Sequence, residues 1–240
     1  MSLTLAVETS SAEHSVALGS SNLGSSNLGS PNLGSSSLGS SGEVLVRRTV
    51  RRDEPSFGGV GPLVASALAE ICHRFADIGR IGVDVGPGNL ASVRAGVAYA
   101  NGLAFSLGLP VHSASALELM AVEAAESGAA HVLCLRNAGS GNVYAGLFRG
   151  HTTVGLRHGP FEPVVAAMVG ELPEVSVAGA FRQEAARTLP WTVVADTGIE
   201  VPDVLTLHRL LAGPTGDRLR SGPAATPLNE MSTVFEAIGG

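Results

Sequence analysis

Two short loops, each directly after an apolar run, contain the residues that could do chemistry in this chain. Glu8-Thr9-Ser10-Ser11 follows residues 3–7, and Gly86-Pro87-Gly88-Asn89 follows residues 81–85. Phosphate sites use carboxylates and hydroxyls of this kind, and glycines that let the backbone approach a ligand closely. The loops therefore supply five candidate nucleotide-proximal residues: Glu8, Thr9, Ser10, Gly86 and Gly88.

A purely structural interpretation explains both loops as well. The first loop has no glycine that would let backbone amides wrap around a phosphate, and an acidic residue is common at a hairpin turn. The second loop is typical of a tight turn, with Asn89 as the N-cap of the helix that follows. We predict structural roles for both loops and keep nucleotide contact as the alternative.

Metal-dependent and hydrolytic chemistry find little support in the sequence. None of the seven histidines forms an i, i+4 pair with another. Ser10, His14 and Asp84 could be imagined as a hydrolytic triad, but no nucleophile elbow accompanies them. Cys72 and Cys134 lie far apart in apolar patterns, which indicates neither a zinc site nor a disulfide scaffold. We therefore predict no catalytic residues and no metal site.

The helix that begins after Asn89 has two different faces. Apolar residues at helical spacing predict packing on a sheet: Leu90, Val93, Val97, Ala100, Ala104 and Leu107. Small residues form a second line: Ala91, Ala95, Ala98 and Gly102. Because small residues let two helices approach closely, we expect this line to contact another helix, in the same chain or in a partner.

The order of strands and helices predicts an α/β fold. Three strands precede a helix at 62–75, and alternating strands and helices continue to a helix at 115–126, where Ser115 and Glu118 match a capping box. A second unit of strands and helices begins at His131. We predict an N-terminal lobe at 1–128, a C-terminal lobe at 129–214 and a tail at 215–240.

Two stretches depart from this regular plan. Residues 19–42 repeat Leu-Gly-Ser-Ser-Asn units, for which we favour a flexible hairpin extension over a coil of a β-solenoid, because so few units cannot bury a stacked core. Arg47, Arg48, Arg51 and Arg52 form the main basic cluster of the chain. They could contact tRNA or an acidic partner, although a solvated strand end is the commoner structure.

Composition excludes several classes of protein. The net charge of −6 makes the chain a poor general nucleic-acid binder, since phosphate contacts need clustered cations. The N-terminus shows no signal peptide, and no apolar run approaches the length of a membrane span. We expect a cytoplasmic protein without membrane association.

The chain resembles the TsaB family, the bacterial tRNA threonylcarbamoyladenosine biosynthesis subunits once grouped with glycoprotease-like proteins. The resemblance covers residues 1–148 apart from the repeat insertion. It rests on Leu5-Ala6-Val7-Glu8-Thr9-Ser10, Ser15-Val16-Ala17-Leu18, Gly86-Pro87-Gly88 through Val93-Arg94-Ala95-Gly96, Gly102-Leu103-Ala104, Leu109-Pro110-Val111, Ser115-Ala116-Leu117 and Gly141-Asn142-Val143-Tyr144.

This resemblance implies a degenerate actin-like ATPase fold of two related α/β lobes without its own active site. It also implies pairing with a TsaD-like catalytic subunit, together with a TsaE-like ATPase, for modification of adenosine 37 of tRNA. The isolated chain would form a homodimer, tRNA would be contacted only through the complex, and no cofactor would be bound tightly, with ATP or ADP at the partner interface as the alternative. The implied interface residues are Val64, Leu68, Ile71, Ala91, Arg94, Ala95, Ala98 and Gly102.

Several positions depart from the family pattern. Asn89-Leu90-Ala91-Ser92 replaces the usual Ser-Phe-Thr-Gly, and Asn137-Ala138-Gly139 replaces Asp-Ala-Arg. Ser56 takes the place of an expected histidine. Two other functions therefore remain open: a small-molecule kinase or ATPase of the actin-like superfamily, and a diverged paralogue that associates with itself.

Overall fold

The structure is a computed structural model, and it describes residues 2–20, 42–189, 191–213, 219–229 and 232–237. Most of the repeat insertion predicted at 19–42, including its proposed flexibility, lies outside these described residues. The same holds for parts of the tail at 215–240.

The first half of the chain forms a lobe in which a six-stranded sheet carries helices. Its strands lie in the order β11-β5-β4-β1-β2-β3; β1 runs antiparallel to β2 and parallel to β4. Its elements are β1 (Leu3–Glu8), β2 (Glu13–Ser20), β3 (Val44–Arg51), α1 (Val60–Glu70), β4 (Ile78–Asp84), α2 (Leu90–Leu107), β5 (Val111–Ala114) and α3 (Ala116–Glu126), with β11 (Arg220–Gly222) added from the tail.

The second half repeats this topology. Its sheet has the order β10-β9-β6-β7-β8-β12, so the first strand of each lobe is central and pairs antiparallel with the second and parallel with the fourth. Its elements are β6 (His131–Gly139), β7 (Asn142–Arg149), β8 (Thr152–Pro160), α4 (Phe161–Val169), β9 (Glu174–Gly179), α5 (Arg182–Thr188), β10 (Val193–Asp196) and α6 (Val204–Ala212), with β12 (Glu236–Ala237) from the tail.

The last helix and the tail connect the two lobes. Helix α6 packs on β1, β2 and β4 of the first sheet, and its Leu207 and Leu211 are fully buried there. Gly82 makes room for this helix, because a Cβ at that position would lie 2.8 Å from a Leu211 methyl group. The chain therefore returns from the second lobe to cover the first.

Two local predictions can be compared directly with the structure. The capping box is confirmed: Ser115 Oγ accepts from the Glu118 amide at 3.1 Å, and the Glu118 carboxylate accepts from the Ser115 amide at 2.7 Å. The helix predicted at 62–75 instead spans Val60–Glu70. It begins after Gly59, whose φ of 98° is readily adopted by glycine, and Phe75 belongs to a separate short 3-10 turn.

Candidate functional site

The loops at 8–11 and 86–89 lie side by side where the two lobes meet. Because β1 and β4 are adjacent parallel strands with Val7 opposite Val83, Glu8 and Asp84 stand next to each other at their carboxyl ends. Glu8 is 2% exposed and Asp84 is 0% exposed. Two carboxylates are thus buried together, an arrangement that is costly unless other groups compensate it.

Backbone amides of these loops donate hydrogen bonds to the chain itself. Glu8 Oε1 accepts from the Ser10 amide at 2.6 Å and from Ser10 Oγ at 2.8 Å. Asp84 Oδ1 accepts from the Gly86 amide at 2.8 Å, and the Ser10 carbonyl accepts from the Asn89 amide at 3.0 Å. A phosphate at these loops would find those amides already engaged.

Arg136 of β6 brings the second lobe into the same cluster. Its Nη2 donates to the Ser10 carbonyl at 2.7 Å, and its Nε donates to the Pro87 carbonyl at 3.3 Å. The side chain is 8% exposed, and its positive charge favours ionisation of both Glu8 and Asp84. Arg136 therefore bridges both loops of the first lobe.

Burial dominates the protonation chemistry of the two carboxylates. Desolvation, assisted by the neighbouring Asp84 charge, raises the pKa of Glu8 to about 7. Desolvation also raises the pKa of Asp84 to about 6, although Ser10, the Gly86 amide and Arg136 act in the opposite direction. Both acids therefore titrate closer to neutral pH than exposed carboxylates do.

An open cleft of about 930 Å³ lies between the lobes beside this cluster. Three arginines line it, and each has partners within the chain. Arg182 pairs with Asp196 and Glu200, Arg52 donates to Ser92 Oγ at 2.9 Å, and Arg136 is held as described. The Ser10, Gly86 and Asn89 amides are engaged as well, so these groups are not free to bind a nucleotide phosphate beside Glu8, Thr9, Ser10, Gly86 and Gly88.

Close backbone packing explains two of the glycines in this region. A Cβ on Gly88 would lie 2.1 Å from the Ser10 carbonyl oxygen, and one on Gly96 would lie 2.2 Å from Thr9 Oγ1. The glycines therefore let the second loop and α2 press against the first loop. Both glycines therefore serve packing within the chain, between residues 86–96 and the loop at 8–11.

The line of small residues on α2 lies at the protein surface. Ala91, Arg94, Ala95, Ala98 and Gly102 are all exposed, whereas the apolar line is buried or half-buried in the first lobe. Within the described part of the chain, no heavy atom lies within 4 Å of a Cβ built on Gly102, leaving out that helix's nearby backbone. This face of the helix is therefore free for a second helix to approach.

The predicted interface residues on α1 need correction. Val64 and Leu68 are 0% and 2% exposed because α1 packs them against β2 and β3, so their side chains cannot line a partner surface. Ile71 is half-buried. The outer side of α1 instead presents Pro62 and Ala65.

Phe105 continues the exposed line of α2, and the sequence interpretation overlooked it. Its side chain is 88% exposed, three residues after Gly102 and seven after Ala98. The relevant signal was a bulky aromatic residue at helical spacing from the small residues. We call Ala91, Arg94, Ala95, Ala98, Gly102 and Phe105 the α2 face.

The basic cluster on β3 is largely neutralised within the chain. Arg47 pairs with Asp203, Arg48 with Glu70 and Arg51 with Asp53. This arrangement favours the solvated strand end over a nucleic-acid site.

The described residues hold neither a metal-binding cluster nor a membrane-spanning helix. Those residues contain no group of three or more His, Cys, Asp or Glu side chains that could hold a metal ion. Among their helices, none combines the length and the apolar character needed to cross a membrane.

Comparison with known proteins places the fold in a recognisable group. Residues 59–158 match the family model of TsaD, described as tRNA N6-adenosine threonylcarbamoyltransferase. The structure resembles YeaZ (TsaB) from Pseudomonas aeruginosa, with 22% sequence identity and a TM-score of 0.63 over 95% of this chain and 99% of that one. No match was found among curated proteins.

A second solved structure gives the same result. It is an uncharacterized protein with similarity to peptidase YeaZ from Pseudomonas aeruginosa, 23% identical, with a TM-score of 0.66 over 95% of this chain and 99% of that one. The expected architecture of two α/β lobes with mixed sheets flanked by helices is confirmed, and the chain shares its fold with these two structures.

Proposed function

We propose that this TsaB-like chain is a scaffold subunit without its own active site, which pairs with a TsaD-like catalytic subunit in the threonylcarbamoylation of adenosine 37 of tRNA. The fold shared with YeaZ and the TsaD-family match over residues 59–158 support this general role. A TsaE-like ATPase would complete the complex, and tRNA would be contacted only through it. We place this activity in the cytoplasm.

The observation that carries the pairing is the exposure of the α2 face. Packed helices lie about 8–10 Å apart depending on the side chains between them, and small residues favour the short end of this range. Ala91, Ala95, Ala98 and Gly102 supply such residues. Phe105, at the end of the line, offers the aromatic anchor that protein interfaces commonly bury. Arg94, next to Ala95 near the other end of this line, can give the contact polar specificity.

The interlobe loops support a role without catalysis by this chain. The Ser10 and Gly86 amides donate to Glu8 and Asp84, so they are not available to hold a phosphate. We therefore propose no tightly bound cofactor in the single chain, and ATP or ADP would bind only at the joint with the partner. The same hydrogen bonds argue against the small-molecule kinase or ATPase.

Self-association is the second candidate, because the same observation favours it. An α2 face with a Phe105 side chain that is 88% exposed can be covered by a second copy of the chain as well as by a different subunit. The two candidate functions predict different results when a TsaD-like subunit is added to the homodimer. A TsaD-like subunit would displace the homodimer in the first case and leave it intact in the second.

Deletion of the gene tests the proposed function directly. Mass spectrometry of tRNA nucleosides from the deleted strain should show loss of threonylcarbamoyladenosine. Re-expression of the chain should restore the modification, and re-expression with Phe105→Ser should restore less of it. Unchanged modification in the deleted strain would contradict the proposal.

A further inference from the structure

The contact between the lobes buries three charged side chains whose charges do not balance. Glu8 and Asp84 come from the first lobe, and Arg136 comes from the second. If all three were ionised, one negative charge would remain uncompensated away from water, which is unfavourable. A single proton on the carboxylate pair removes this charge.

The four oxygens of the carboxylate pair differ in their hydrogen-bond partners. Asp84 Oδ2 is buried and accepts no hydrogen bond from the described residues, whereas Asp84 Oδ1 accepts from the Gly86 amide. On Glu8, Oε1 accepts from Ser10 and Oε2 accepts from Ser11 Oγ at 3.2 Å. If both groups were ionised, one charged oxygen of the pair would therefore have no hydrogen-bond donor, which favours a single proton shared by the two carboxylates.

Other charged groups near the pair do not supply the missing positive charge. Glu118 of α3 faces Asp84 and adds negative potential. Its carboxylate is already used as a cap by the Ser115 amide and is paired with Arg220. Arg136 is the one cation whose charge acts on both Glu8 and Asp84 among the interactions described.

We propose that Glu8, Asp84 and Arg136 form a proton-linked latch that holds the two lobes closed, and that release of the shared proton to water loosens it. Arg136 makes the latch an interlobe device, because its two backbone acceptors, Ser10 and Pro87, both belong to the first lobe. The two carboxylates stabilise those acceptor loops through the Ser10 and Gly86 amides.

The direction of the pH dependence follows from burial. In the closed form the pKa of Glu8 is raised to about 7, whereas in an opened form water would return it towards about 4.3. Opening therefore releases a proton between these two values. The opened fraction should increase by up to about tenfold per pH unit over that range and become level above neutral pH.

Hydrogen exchange of the intact chain tests the latch. The informative amides are those of Ser10, Gly86 and Asn89, since each donates a hydrogen bond inside the cluster. After correction for intrinsic rates, we expect protection at these amides to fall at least about tenfold from pH 5 to pH 7.5. The variant Glu8→Gln, which keeps an acceptor oxygen but cannot ionise, should show a change several-fold smaller than the unmodified chain, because only Asp84 can still lose a proton.

A matched control separates the latch from general effects of charge. Glu13 is an exposed carboxylate at the start of β2, so Glu13→Gln should follow the unmodified chain at both pH values. Equal pH dependence in the unmodified chain and in Glu8→Gln would overturn the proposal. So would a protection factor at the three amides that does not change with pH.

Removal of the cation gives a second, independent readout. Arg136→Met removes the donor to the Pro87 carbonyl and one of the two donors to the Ser10 carbonyl, which keeps the Asn89 amide, and it should increase exchange at all three amides even at pH 5. Retention of full protection in a folded Arg136→Met chain would contradict the latch. If this variant does not fold by circular dichroism, the Glu8→Gln comparison decides.

Discussion

At the scale of single residues, two glycines with opposite surroundings illustrate how packing determines what a position tolerates. Gly88 meets the Ser10 carbonyl, a backbone atom that cannot rotate away. Gly102 lies on the open side of α2, where a Cβ meets nothing within 4 Å. The same substitution should therefore have opposite effects at the two positions.

Gly88→Ala is expected to destabilise the protein by roughly 1–3 kcal/mol, because its Cβ would stand 2.1 Å from the Ser10 oxygen. The loops beside Glu8 would have to separate to relieve the overlap. Urea unfolding followed by circular dichroism measures the loss. A variant as stable as the unmodified chain would show that the contact between the loops is loose.

Gly102→Ala provides the matched comparison and should stabilise the isolated chain by about 0.5–1 kcal/mol. Alanine loses less conformational entropy than glycine when it enters a helix, and this position is exposed in the interior of α2. The same urea titration applies. Destabilisation would indicate that this face is packed in the isolated chain, for example by a second copy.

At the scale of elements, the tail behaves as a strap that was not visible in the sequence. Residues 219–229 add β11 to the first sheet and then cross α2, where Asn101 holds Ala225 by two hydrogen bonds of 3.0 and 2.8 Å. The Leu228 amide then donates to the Val85 carbonyl at 2.7 Å. The strap therefore lies against α2 next to the α2 face.

Asn101→Ala should release this part of the strap. Both backbone groups of Ala225 would lose their partner, at a cost of about 1–3 kcal/mol. Hydrogen exchange of residues 224–229 should increase while exchange of β1 stays unchanged. The control Ser106→Ala removes an exposed hydroxyl on the same helix, and equal exchange in both variants would contradict the role of Asn101.

The elements that could be predicted from sequence are those with strong local patterns. The apolar strands before Glu8 and Gly86, the two-faced helix and the capping box at Ser115 all follow from periodicity and cap chemistry. The burial of Val64 and Leu68 could not be distinguished from partner contact, because both need an apolar helix face. Sequence patterns cannot show which surface covers such a face.

The missed parts of the site depend on contacts that are distant in sequence. Arg136 contacts Ser10 and Pro87 only because the two lobes fold against each other, and no local pattern marks a buried arginine. The strap likewise has weak periodicity, because its order comes from bonds to Asn101 and Val85. The burial of Arg136 and the path of the strap therefore depend on tertiary contacts, which local sequence patterns do not reveal.

At the scale of the whole molecule, α6 makes the stability of the two lobes interdependent. The helix follows the second lobe in the chain but buries Leu207 against the first sheet, near Ala6 and Ala17. Helix α3 of the first lobe packs on β6, β7 and β9 of the second lobe, and Arg136 donates hydrogen bonds across the same boundary. We therefore expect the two lobes to unfold as one cooperative unit.

Leu207→Ala should lower the free energy of unfolding by about 2–5 kcal/mol, as expected for removal of a fully buried leucine. The loss should appear in a single transition, with the circular dichroism signal and the fluorescence of Trp191 in the second lobe changing together. Leu210→Ala, at a half-buried position of the same helix, should cost less. Two separate transitions in the unmodified chain would contradict the cooperative unit.

The central claim is that the α2 face pairs with a catalytic subunit, and one binding measurement tests it most directly. The affinity of the chain for the TsaD-like subunit of the same cell would be compared for the unmodified chain, Ala95→Trp and Ala186→Trp, an exposed alanine on α5. We expect Ala95→Trp to weaken binding at least about tenfold, equivalent to about 1.4 kcal/mol, with an unchanged melting temperature, and Ala186→Trp to bind normally. Equal affinity of all three proteins would contradict the claim.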